Sequence, residues 1–118
     1  MEVVSPQTLD HIIEANGAVL RVKVIEITDW DMDANMTKNV NHGLTWSTIR
    51  SHTVMIDKNA LDDQRPLNVE ALTPNGDDGY YNVAPAFFGL IRRAGGYFDR
   101  VDYNGAGHRG WITVWYVE

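Results

Sequence analysis

Asp29, Asp31 and Asp33 place three carboxylates at alternate positions, which is how a calcium-binding loop opens. Oxygen ligands at that spacing would suit a hard divalent cation. The remainder of the loop does not follow: Ala34 stands where the sharp turn needs Gly, and Val40 where a bidentate Glu would close the site. In a strand the three side chains would share one face and repel unless solvated. We therefore read them as an acidic, solvent-facing strand or turn, and expect no metal and no other cofactor. The histidines His11, His42, His52 and His108 lack the spacing of a helical metal site, and the chain has no cysteine to join them. His42 in Asn41-His42-Gly43 and His108 in Gly107-His108-Arg109-Gly110 read as turn histidines. Ser47 or Ser51 could be combined with a histidine and an aspartate, but the Gly-x-Ser-x-Gly elbow is absent. Gly95-Gly96 lacks the strand–glycine–helix context of a phosphate loop and reads as a hairpin turn. Arg92 and Arg93, as strand neighbours, point to opposite faces and form no single basic patch. No catalytic constellation is complete, so enzymatic activity is not expected.

The aromatic residues are more informative. On a strand from Trp111 to Val117, Trp111 and Trp115 share one face while Ile112, Val114 and Tyr116 share the other. A strand apolar on both faces is usually central. If one face packs the core, the other needs a cover: a partner subunit, a sugar stacked on an exposed ring, or the N-terminal segment of the chain itself. Trp111 and Trp115 are accordingly the candidate interface residues.

The elements that must position these residues are mostly strands. Leu20, Val22 and Val24 alternate with Arg21 and Lys23, and the alternation then slips at Val24-Ile25, which predicts a β-bulge there. Thr48 to Asp57 reads as a second long strand. Pro66 to Leu72, Tyr80 to Val83 and Ala86 to Arg92 read as shorter ones. Pro74-Asn75-Gly76-Asp77-Asp78-Gly79 is the strongest loop signal. Ser5, Pro6 and Gly17 could bound one short N-terminal helix, although the β-branched Val3, Val4, Ile12 and Ile13 suit an extended segment almost as well. Many short strands between Gly, Asn, Asp and Pro turns predict an all-β antiparallel sandwich, jelly-roll-like in style.

Length and charge set the frame around this. The 118 residues fit one domain, 1–118, with 1–17 set apart as an attachment segment. Ten Lys and Arg against 16 Asp and Glu give a net charge of −6, which disfavours nucleic-acid binding. No apolar run approaches the ~20 residues of a membrane span, and the first residues carry no visible secretory pattern. Four Trp, five Tyr and three Phe exceed what a small sandwich interior readily covers, so a homo-oligomer is expected.

Three segments resemble a known group. Ile25-Glu26-Ile27-Thr28-Asp29-Trp30-Asp31-Met32-Asp33, then Asn41-His42-Gly43-Leu44 with Ile49-Arg50-Ser51, and Arg109-Gly110-Trp111-Ile112-Thr113-Val114-Trp115-Tyr116 are similar to stretches of small proteins of Bacteroidetes-type phages and prophages. The resemblance covers roughly 25–56 and 86–117. It implies a non-enzymatic virion structural role, as a head fibre, tail or capsid-decorating component assembled in the bacterial host cytoplasm. It also implies other virion proteins as partners and favours a trimer. The alternative is a lectin-like module that binds host-surface glycan. The group supplies no catalytic or ligand residues to carry over.

Overall fold

A computed structural model describes residues 17–69 and 79–117. Seven strands are present: β1 (Leu20–Thr28), β2 (Thr37–Asn41), β3 (Ile49–Asp57), β4 (Gln64–Val69), β5 (Gly79–Val83), β6 (Phe87–Arg92) and β7 (His108–Val117). Among the described residues there is no α-helix, only 3-10 turns at Trp46–Thr48 and Val101–Tyr103. The expected N-terminal helix, His11 and most of the Pro74–Gly79 loop lie outside the described residues.

The all-β reading holds, but the two-sheet sandwich is replaced by one mixed sheet curled into a half-barrel, in the order β1-β7-β3-β4-β5-β6-β2. All neighbours are antiparallel except β4 and β5, which pair in parallel at Asn68↔Tyr80 and Val69↔Tyr81. The expected antiparallel sandwich has no parallel neighbours, whereas a parallel pair needs a crossover between its strands. The chain also enters at one edge, β1, and next reaches the opposite edge, β2. The segments between β1 and β2 and between β6 and β7 help to fill the inner side. They bring Trp30, Met32, Phe98 and Tyr103 to full burial against Ile27, Ile56, Phe88, Leu90, Ile112 and Val114. Phe98 and Tyr103 meet edge to face at 5.0 Å. The Gly95-Gly96 turn is therefore part of this long connection and not a hairpin, since β6 does not pair with β7.

The bulge predicted at Val24-Ile25 is absent. Register runs unbroken from Leu20↔Val117 to Ile27↔Gly110 and shifts only between Ile27 and Thr28. The apparent slip has another cause. Val22 and Val24 point outward and are exposed, while Arg21 and Lys23 lie on the inner face with Ile25 and Ile27. Lys23 is accommodated there because its Nζ donates to the carbonyl of His42 at 2.7 Å. β7 is an interior strand, hydrogen-bonded to β1 and β3 along its length. Its inner residues Ile112 and Val114 are fully buried, and its outer face is the open one, with Trp111 40% exposed.

Two arginines fix the connections. Arg92, 5% exposed, donates Nε to the carbonyl of Met32 at 2.6 Å and pairs with Asp99 at 3.4 Å. Arg109, 1% exposed, donates to the carbonyls of Trp30, Asp57 and Asn104 and to Asn59 Oδ1, at 2.8–3.1 Å. A planar guanidinium with five donors can serve several loop carbonyls at once, which one ammonium does not do with the same geometry.

Candidate functional site

The sequence motifs resolve first into structure. His42 is fully buried: its Nε2–H donates to the carbonyl of Ala84 and its Nδ1 accepts from the amide of Leu44, both at 3.0 Å. Gly43 between them has φ +68, so the His42-Gly43-Leu44 stretch is a turn held by its own imidazole. His52 packs edge to face on Tyr81 and Phe88, and burial pushes its pKa down. Ser51 lies on the opposite face of β3 from His52, opposite Trp115.

The acidic triplet is a loop and not a strand, because β1 ends at Thr28. Asp31 accepts from the amide of Ala34 at 3.1 Å. The backbone amide of Gly105, with smaller help from those of Ala34 and Asp33, holds its carboxyl below the usual range. Asp29 (φ +59) and Asp33 are exposed on either side. Asp31 thus spends its lone pairs on turn amides, in the manner of a helix or turn cap. Among the described residues no group of three His, Cys, Asp or Glu is arranged to hold a metal ion.

The constellation that chain spacing does not reveal is Glu26, Asp57 and His108. The register Thr28↔His108 on one side of β7 and Ile56↔Gly110 on the other brings the ends of β1 and β3 around His108. His108 Nδ1 donates to Glu26 Oε2 at 2.8 Å and Nε2 donates to Asp57 Oδ2. A histidine that donates from both ring nitrogens is an imidazolium. The hydrogen bond to Asp57 raises its pKa, burial opposes this, and the bond to Glu26 adds to the rise. Trp111 lies against the imidazole, ring centroids 4.9 Å apart. With Leu61 and Gln64 these side chains line an open cleft of about 410 Å³.

Of the two candidate interface residues, Trp111 forms one wall of this cleft. Trp115 lies four residues along the same outer face, half-buried opposite Val22 and Ser51. Comparison with known proteins returned no matching family model, no matching curated relative and no matching solved structure.

The paired carboxylates give a pH test with a definite sign. A histidine whose folded pKa is raised contributes stability that is fully present below its unfolded value of 6.5 and is lost as pH climbs through the folded value. Urea melts should therefore show stability falling as pH rises above 6.5. His52, with its lowered pKa, is already neutral there. The decline should flatten in His108→Gln. Equal slopes in the two proteins would remove His108 as the cause.

Proposed function

We propose that the chain is a non-enzymatic assembly protein, in the class of phage virion structural components, working through the outer face of β1, β7 and β3. One observation carries this reading: Val22, Val24 and Trp111 are 40%, 56% and 40% exposed on adjacent strands of that face. Met55 and Trp115 extend the same face, since Met55 stands opposite Trp111 and Trp115 opposite Val22. Clustered exposed apolar residues on a sheet mark a contact surface. Among the described strands β1 is also an edge, and a sheet edge is where another chain can add by backbone hydrogen bonds. The resemblance of the Ile25–Asp33, Asn41–Leu44 with Ile49–Ser51, and Arg109–Tyr116 stretches to phage proteins supports a virion setting, with a homo-oligomer, a trimer by preference, and other virion proteins as partners.

A net charge of −6 per chain opposes self-association, so burial of this apolar face has to lead. A standard interface buries about 1,600 Å² in total, within reach of three strands and their flanks. Light scattering over rising concentration should show multiples of 13.3 kDa. The double variant Val24→Ser, Trp111→Ser should run as a monomer that still unfolds cooperatively, with a thermal midpoint below the parent's and no longer dependent on concentration, because assembly no longer adds to its stability. A single 13.3 kDa species at every concentration, with no co-assembling partner, would defeat the reading.

A further inference from the structure

We propose that the cleft between Glu26, Asp57 and Trp111 receives a cationic group, an ammonium or guanidinium of the kind borne by a lysine or arginine side chain of a partner protein. The first support is an imbalance of donors and acceptors. His108 spends both N–H groups on Glu26 and Asp57. Asp57 is only 5% exposed, and its Oδ1 accepts no hydrogen bond. That oxygen is itself closed off from solvent, so a cation in the cleft offsets the Asp57 charge through space and not by a hydrogen bond to Oδ1. The second support is charge. Two carboxylates face one imidazolium, so the cleft keeps an excess of negative charge inside a chain that is already acidic. That field draws cations and repels carboxylate or phosphate ligands.

The third support is the indole. Trp111 leaves two-fifths of its surface open beside the carboxylates, and a cation over an indole face gains from the ring quadrupole. A neutral sugar would also stack there but would leave the charge unbalanced. The cleft shares Trp111 with the apolar face of the assembly reading, but a chain that stays monomeric can still bind a cation here, so the two fail separately.

The test uses the full chain and two small probes, n-butylammonium and n-butylguanidinium chloride, at constant ionic strength. NMR follows the Trp111 indole N–H and the His108 ring. Both cations should produce a saturable shift at these two residues, and n-butanol and methyl glucoside should not. Affinity should fall about fivefold in Trp111→Leu and in Glu26→Gln. Both positions are exposed at the surface, and an unchanged amide spectrum across β4 to β6 confirms each variant's fold. If one variant fails to fold, the other gives the same reading. The proposal is overturned if neither cation saturates, if methyl glucoside saturates in their place, or if both variants bind the cations as tightly as the parent, which would mean diffuse attraction to an acidic protein.

Discussion

Arg109→Met should destabilise the protein by about 3–5 kcal/mol, a large share of the ~5–15 kcal/mol typical of a domain. The side chain is fully buried and satisfies Trp30, Asp57, Asn59 and Asn104 together, so its loss strands the buried contacts to the Trp30 and Asp57 carbonyls and releases the part-buried ones to Asn59 and Asn104. Methionine keeps most of the volume, which isolates the polar contribution from a cavity effect. Arg109→Lys should recover less than half of the loss, because one ammonium has neither the reach nor the planar fork to serve all four partners. Guanidinium denaturation gives the comparison. A methionine variant within about 1 kcal/mol of the parent would show that the loops hold themselves without the arginine.

Gly110→Ala, one residue on, should cost about 3 kcal/mol by crowding. A Cβ at Gly110 would stand 3.1 Å from Ile56 Cα and closer still to the carbonyl oxygen of Met55. These are backbone atoms of the adjacent strand, and they move only if β3 and β7 separate. Gly105→Ala is the matched control: nothing lies within 4 Å of its Cβ, and its φ of +83 limits the penalty to about 1 kcal/mol. Thermal melts of the two variants should differ clearly. Equal midpoints would mean that the β3–β7 spacing relaxes freely.

The strand that carries Arg109 and Gly110 shows where the sequence is legible. The alternation of Ile112 and Val114 with Trp111 and Trp115 is a period-two signal, and it correctly marks β7 as an interior strand with two distinct faces. Strand positions along most of the chain follow from the same signal. The curl of the sheet, the parallel β4–β5 pair and the return from edge to edge do not, because alternation reports which side a residue faces and nothing about which strand lies beside it. The misplaced bulge has a similar origin. Lys23 sits on the inner face because a carbonyl 19 residues away accepts from it, and periodicity carries no trace of that partner. Glu26, Asp57 and His108 were legible as residues but not as a cluster, since their meeting depends on the register of β1 and β3 against β7. Alternation along β7 marks Trp111 as a face residue and no more. Its place in the cleft follows from His108 beside it.

The edge-to-edge path of the chain also dictates the order in which the molecule can be completed. β1, first of the described strands to be synthesised, pairs only with β7, the last, and Leu20 meets Val117 across nearly the whole chain. Among the described strands, β1 has no sheet partner during translation until β7 has left the ribosome. β2 likewise waits for β6, some fifty residues later by register. Such long-range closure is slow compared with hairpin formation and leaves strand edges open in the nascent chain. Among the described strands the Val22–Val24 edge is therefore exposed longest, so a chaperone, or premature pairing between neighbouring nascent chains, meets this protein first at β1.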